Sequence, residues 1–273
     1  MEENSFLGRD RTAEVEHGTA RAGLEGMRPA MPTPDDHALV RRMKSIFPLS
    51  DEHADAISAM PMAVKNFGAD QDIVRQGDKP SQVCLVISGI AAMYKITGPG
   101  RRQIMSFYVP GDVPDLHSIH LSVMDSTIAT MTPATLGVIQ HDTVHDICRR
   151  IPALADAFWK MTLIDSAVFR EWIVNVGQRE ALVRLAHLLC EMFLRLKVVG
   201  LVNGATCDFP VTQQELADAT GISVVHVNRM LQELRGQGLI SLNQRKLTIL
   251  DWQALTRVGD FDPTYLHLAS YGD

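Results

Sequence analysis

The sequence contains no apolar run near the roughly 18 residues that a membrane-spanning helix needs. Its first residues, MEENSFLGRDR, lack the apolar centre of a secretory signal. Cysteine is scarce: Cys84, Cys148, Cys190 and Cys207 lie far apart and form no CxxC pair. These absences exclude an integral membrane protein and argue against a disulfide framework or a zinc knuckle. We therefore expect a protein of the reducing cytoplasm.

Positive charge is also in short supply, because the 273 residues carry a formal net charge of −6. The charge is unevenly distributed. Residues 178–257 carry nine basic and seven acidic side chains, whereas residues 1–34, 35–177 and 258–273 are each net acidic. The mildly basic block is therefore the candidate for a surface that faces a polyanion.

The residue pattern changes along the chain. Residues 1–34 are rich in Glu, Arg, Gly and Pro, which predicts a disordered extension. In residues 35–150, after short helical patterns, turn residues recur about every 8 to 12 positions between β-prone runs, which predicts a small antiparallel roll. Residues 151–177 predict a long helix, residues 178–257 a second small domain and residues 258–273 a tail. The expected fold class is α+β.

Pro152 opens the long helical segment. Apolar residues follow it at steps of three and four: Leu154, Phe158, Met161, Ile164, Val168 and Trp172. A helix of roughly 40 Å exposes more apolar surface than a small roll can cover, so we expect a homodimer through residues 152–177. In the other interpretation, the stripe packs entirely on its own roll. Gly177 is a poor helix residue and is the expected break or hinge.

The most informative stretch is VTQQELADATGISVVHVNRMLQELRGQGLI. Thr212 and Glu215 fit a capping box at the start of a short helix. Gly221 supplies a tight turn, because glycine accepts a positive φ without penalty. Ser223 then fits the cap of a second helix over residues 224–235. Helix, glycine turn and helix at this spacing are typical of a helix-turn-helix.

The second helix has an apolar face for burial and a polar face that suits a DNA groove. Arginine can hold guanine bidentately, and asparagine can do the same for adenine. A hairpin with a basic tip follows and suits phosphate contacts. We assign DNA contact to Thr212, Gln213, Ser223, Val225, His226, Asn228, Arg229, Gln232, Arg245 and Lys246.

This segment, together with RQGD (75–78), ISG (87–89) and VPGDV (109–113), resembles the Crp/Fnr superfamily of bacterial transcription regulators over about residues 45–257. The resemblance implies a cyclic-nucleotide-binding-like β-roll, a long dimerisation helix, a hinge and a Crp-type winged helix-turn-helix domain. It further implies double-stranded DNA and RNA polymerase as partners.

Several residues depart from the family pattern. Cyclic-nucleotide-binding members carry Gly-Glu-Leu after the Pro-Gly-Asp turn and an arginine on the cyclic phosphate, whereas residues 113–116 here read VPDL and residues 124–127 read MDST. Asp125 beside the phosphate position would repel that group. No cysteine precedes Cys84, which argues against an iron–sulfur cluster. Relatives commonly have glutamate at the position of Val225, so the operator should differ there.

Haem-sensing relatives also exist, and His117, His120, His141 and His145 are candidate axial ligands. Isolated histidines are more often surface or core groups, so we expect no haem. A second hypothesis is a small metal-dependent β-barrel enzyme fused to a winged domain. Its tightest ligand cluster, Asp115 with His117 and His120, matches no metal motif, so we expect neither a metal nor an enzyme. A DNA-binding regulator that needs no ligand, and a protein–protein module, also remain open.

Titration of the purified protein with cyclic AMP is expected to show no binding in the micromolar range. The physical reason is that the phosphate-binding arginine of the family is missing and that Asp125 sits beside its place. Calorimetric titration is the measurement, and a micromolar Kd would overturn the expectation.

Overall fold

The computed structural model describes residues 37–269, so the disorder predicted for residues 1–34 lies outside the described residues. It confirms the α+β class, with an N-terminal β-roll, a long helix and a C-terminal helix-turn-helix domain. Within the described range, no helix combines the length and apolar character needed to cross a bilayer.

The β-roll follows two short helices, α1 (Ala38–Lys44) and α2 (Asp51–Ser58), and Ser50 caps α2 as a hydrogen-bond acceptor. Its strands are β1 (Ala63–Phe67), β2 (Asp72–Val74), β3 (Gln82–Ser88), β4 (Ala91–Ile96), β5 (Arg102–Tyr108), β6 (Thr127–Thr130) and β7 (Ala134–Gln140). They form two antiparallel sheets, ordered β1-β7-β3 and β2-β6-β4-β5. Strand β5 therefore lies at the edge of the second sheet.

The Pro110-Gly111-Asp112 turn brings α1 against the roll. Gly111 has a φ of +99°, and a Cβ at this position would lie 2.6 Å from the carbonyl oxygen of Ala38. Glycine meets both requirements, because it tolerates a positive φ and has no side chain to collide with α1.

Helix α3 (His141–Arg150) leads into the long helix α4 (Pro152–Gln178). The apolar stripe identified above is buried inside the subunit, so for these six residues the interpretation of packing within one chain is correct. A different face of α4 is exposed, with Trp159, Leu163, Ile173 and Val174 between 45% and 69% accessible. The periodicity of the sequence thus marks the inward face of α4, and the burial of that face contradicts its assignment to the dimer interface.

Helix α4 ends at Gln178, one residue beyond Gly177, in agreement with the helix end predicted at about residue 177, and a hinge at this point stays a prediction. The backbone becomes extended at Arg179 (φ −77°, ψ 147°) before α5 (Ala181–Val198) begins. The Arg179 guanidinium lies 2.7 Å from a carboxylate oxygen of Glu171 and 3.2 Å from one of Asp260. Two side-chain ion pairs thus accompany the corner, which follows Gly177 by two residues.

The C-terminal domain comprises α5, β8 (Val202–Asn203), β9 (Thr206–Asp208), α6 (Gln213–Thr220), α7 (Val224–Gly236), β10 (Ile240–Asn243), β11 (Lys246–Ile249) and α8 (Trp252–Val258). Its strands form one antiparallel sheet, ordered β10-β11-β9-β8. Part of the predicted tail is also structured. The Tyr265 hydroxyl donates to Glu191 at 2.8 Å, and the Ala269 N–H donates to the Ser45 carbonyl at 2.8 Å.

A buried charge cluster joins α5 to the β-roll. Asp112 accepts from Arg42 of α1 at 2.9 Å and from Arg195 of α5 at 2.8 Å, and Arg195 also binds Glu191 at 3.1 Å. Burial alone would raise the pKa of Asp112, but the guanidiniums of Arg195 and Arg42 hold that pKa below its ordinary value. One apolar core continues from the roll through α4 and α5 into the helix-turn-helix.

Replacing Arg195 by methionine is expected to lower the free energy of unfolding by about 3–5 kcal/mol, because it strips a buried anion of one of its two cations. Urea unfolding measures the effect. The matched control is Arg149→Met, which breaks an exposed pair with Asp146 on α3 and should cost at most about 1 kcal/mol. Equal losses in the two variants would contradict the role given to the buried cluster.

Candidate nucleic-acid interface

The helix-turn-helix is shaped by local hydrogen bonds that the sequence anticipates. The Thr212 hydroxyl oxygen accepts from the Glu215 N–H at 3.2 Å, and a Glu215 carboxylate oxygen accepts from the Thr212 N–H at 2.6 Å. Gly221 ends α6 with a φ of +69°, and the Ser223 hydroxyl oxygen accepts from the His226 N–H to cap α7. The predicted capping box, glycine turn and second cap are all confirmed.

Helix α7 buries one face and leaves the other open. Val227, Leu231 and Leu234 are fully buried in the core that α7 shares with α5. Val225 is 81% exposed, and Arg229 and Gln232 are exposed as well.

Two pairs of the assigned residues contact each other. The side-chain amide of Asn228 donates to the Gln213 carbonyl oxygen at 3.2 Å, which links α7 to the start of α6. A guanidinium N–H of Arg229 lies 2.9 Å from Nε2 of His226, one turn earlier on the same face. Asn228 is thus half-buried and held in place, whereas the Arg229 side chain stays at the surface.

The wing is the hairpin of β10 and β11. Gln244 and Arg245 both adopt a positive φ, of 50° and 60°, as a tight hairpin turn requires. Arg245 is exposed at the tip. The Lys246 ammonium lies 2.7 Å from a carboxylate oxygen of Asp208 on β9, so the charge that the sequence assigned to phosphate is already paired.

The sequence analysis does not predict one contact that the structure shows, between the β-roll and α6. The Arg102 guanidinium at the start of β5 lies 2.7 Å from a carboxylate oxygen of Asp218 on α6. The Gln103 side-chain amide donates to the Ala219 carbonyl at 3.3 Å. Residues 116 positions apart give no local signal of such a pair.

A cavity of about 360 Å³ lies between the β-roll and α4, and its lining includes the basic side chain of Lys95 as well as two carboxyl groups. Tyr108, Asp125 and Asp165 are among its lining residues, and the Tyr108 hydroxyl has no hydrogen-bond partner among residues 37–269. Burial, together with the nearby charge of Asp112, raises the pKa of Asp165 to about 7. Asp125 thus lines a cavity that holds a second carboxyl group.

A second, almost wholly apolar cavity of about 590 Å³ lies against α3 and α4. Three of the four histidines weighed as haem ligands line it: His117, His120 and His145. The fourth, His141, has its Nε2 atom 3.0 Å from the Ser118 hydroxyl. Asp115 lines another cavity and accepts the Cys84 N–H at 2.8 Å. Over the described chain, no three potential metal-ligating side chains gather at one point.

The arrangement of a β-roll joined to a winged helix-turn-helix is that of a DNA-binding regulator with a sensor-type domain. Family comparison agrees, because residues 64–151 match the cyclic nucleotide-binding domain and residues 183–258 match the Crp-like helix-turn-helix domain. The chain belongs to the Crp/Fnr superfamily of transcription regulators.

Individual relatives are distant. The chain is 26% identical to the transcriptional activator protein FnrL of Cereibacter sphaeroides, over 72% of this chain and 80% of FnrL. It is 24% identical to the nitrogen fixation regulation protein FixK of Azorhizobium caulinodans, over 70% and 77% of the two chains. Among solved structures, FixK2 of Bradyrhizobium japonicum matches with a TM-score of 0.66 at 22% identity, covering 72% of this chain and 97% of FixK2.

Proposed function

We propose that this Crp/Fnr-type regulator is a homodimer that reads a palindromic operator with α7. The observation that carries the proposal is the exposed face of Val225, Arg229 and Gln232 on a helix whose opposite face is anchored in the core. A major groove about 12 Å wide admits one helix, and the open face is the one that would meet the bases.

Each exposed side chain suits a different base contact. Arg229 can hold O6 and N7 of guanine bidentately. Val225 offers only apolar contact, which suits the methyl group of thymine. His226 lies 2.9 Å from Arg229 and can orient its guanidinium. Asn228, tied to Gln213, keeps its own side-chain oxygen available but is less exposed than Arg229.

The exposed face of α4 supports a dimer. Trp159, Leu163 and Ile173 lie along one line of α4 at steps of four and ten residues, and the heptad positions between and after them hold Ser166, Arg170 and Gly177. Trp159, Leu163 and Ile173 on this face are 68%, 56% and 69% accessible in the single chain. A second copy packed on α4 would remove them from water.

We further propose that the β-roll senses a signal other than a cyclic nucleotide, and that the protein is a cytoplasmic non-enzyme that acts with RNA polymerase. The first point is supported by residues 124–127, which read MDST where cyclic-nucleotide-binding relatives carry the arginine that holds the cyclic phosphate. The family membership supports the others. We propose no resident haem, iron–sulfur cluster or metal; a regulator that needs no ligand is the alternative.

The direct test is selection of random duplex DNA by the purified protein, first without an effector. A palindrome with a guanine in each half-site is the expected product. If folded, dimeric protein enriches nothing, the selection is repeated with added cell extract to supply a ligand. Failure in both arms would contradict the proposal.

Arg229→Ala is expected to cost about 1–3 kcal/mol of binding free energy and to abolish the preference for guanine at one position in each half-site. The contrasting variant is Lys246→Ala, which should weaken binding slightly and equally for all sequences, because Asp208 already pairs with that ammonium. Competition with operators substituted at the guanine separates the two. An Arg229→Ala protein with unchanged preference would refute the assignment of the recognition face.

The double change Leu163→Asp and Ile173→Asp is expected to yield monomers, because it would bury four carboxylates in the proposed interface of the dimer. Sedimentation equilibrium measures the molar mass. Val64→Asp is the matched control, since Val64 is 61% exposed on β1, outside α4. A double variant that remains dimeric would show that residues 152–177 do not form the interface.

A further inference from the structure

The hairpin between β4 and β5, residues 97–101, lies beside the helix-turn-helix. Two polar contacts hold it there: the Arg102–Asp218 ion pair at 2.7 Å and the hydrogen bond from Gln103 to the Ala219 carbonyl at 3.3 Å. The ion pair is largely shielded, with 27% and 13% of the two side chains accessible. An edge strand of the β-roll is therefore fixed against α6.

A cleft of about 960 Å³ separates the hairpin from the reading helices. Thr97, Gly100 and Arg101 line one side, and Gln214, Ser223 and Val224 line the other. Ser223 is the residue that caps α7. When a helix lies in a major groove about 12 Å wide, a phosphate backbone runs along each side of it. One backbone would then pass the first turn of α7, at the mouth of this cleft.

The assigned DNA face offers a phosphate backbone the exposed Arg245 at the wing tip and Lys246 beside it. Lys246 is paired with Asp208, and the Arg235 guanidinium donates to the Leu242 carbonyl. Phosphate neutralisation nevertheless supplies much of the affinity of DNA-binding proteins. Arg101 is exposed and, within residues 37–269, makes no ion pair. Its neighbour Arg102 already neutralises Asp218, which would otherwise repel DNA at this point.

We infer that this hairpin of the sensor domain is part of the DNA interface, with Arg101 binding a backbone phosphate next to the first turn of α7. Arg102 and Gln103 are positioning residues that hold the hairpin against α6. The inference rests on the proposed function, because it requires that α7 reads a duplex. It adds a sequence-independent contact from a domain outside the helix-turn-helix.

The test is the salt dependence of binding to the selected operator for the wild type and Arg101→Gln. Loss of one phosphate contact lowers the slope of log K against log salt by about 0.9 per hairpin. The ratio of the wild-type binding constant to that of Arg101→Gln should accordingly fall by about threefold per hairpin when the salt concentration rises from 50 to 200 mM. Base preference should not change, which separates Arg101 from Arg229.

The matched control is Arg149→Gln, which removes the same charge from an exposed pair on α3 of the same domain. It should leave the slope at the wild-type value. If Arg101→Gln and Arg149→Gln behave alike, or if Arg101→Gln binds DNA more tightly than the wild type, the inference is wrong. A wild type that binds no duplex would count against the proposed function instead.

Asp218→Asn tests whether the Arg102–Asp218 ion pair positions the hairpin. The positioning role and a simple effect of charge predict opposite changes in DNA affinity. Removing an anion near DNA should tighten binding if charge alone matters. Freeing the hairpin should weaken binding and lower the salt slope, because Arg101 is no longer held at the backbone. A weaker, less salt-dependent variant supports the inference, whereas tighter binding overturns the role given to the Arg102–Asp218 pair.

Discussion

A carboxylate removed from water needs cations around it, and Asp112 obtains them from two distant helices. Arg42 comes from α1 and Arg195 from α5, and both donate within 2.9 Å. Splitting such a cluster would leave a buried charge unpaired, which is far more costly than breaking a surface pair. Asp112 directly follows Gly111 in a turn of the β-roll. Its two ion pairs therefore hold α1 and α5 against the roll.

The cavity that Asp125 and Asp165 line is close enough to this cluster for their charges to interact. The charge of Asp112 raises the pKa of Asp165, while the guanidiniums of Arg195 and Arg42 act in the opposite sense. Such interactions are reciprocal, so any change of charge at Asp165 alters the field at the group that holds α5.

What could be predicted from the sequence follows the range of each interaction. The helix caps at Thr212 and Ser223 are hydrogen bonds between residues three positions apart, so the residue types in the sequence are enough to predict them. One apolar face of α4 is visible as periodicity, but periodicity cannot tell which neighbour covers that face. Ion pairs such as Arg195–Asp112 and Arg102–Asp218 join residues 83 and 116 positions apart, and only the folded chain brings them together.

The shared core also determines how much conformational entropy would be lost when the sensor domain contacts a phosphate. A loop that must be ordered on binding loses conformational entropy, which reduces the net affinity gained. The hairpin at residues 97–101 is already held by Arg102 and Gln103 against α6, and α6 packs with α7 in the same core. Only the side chain of Arg101 would remain to be ordered. A single exposed arginine on a fixed hairpin would therefore contribute nearly its full electrostatic effect, in addition to that of the exposed Arg245 at the wing tip.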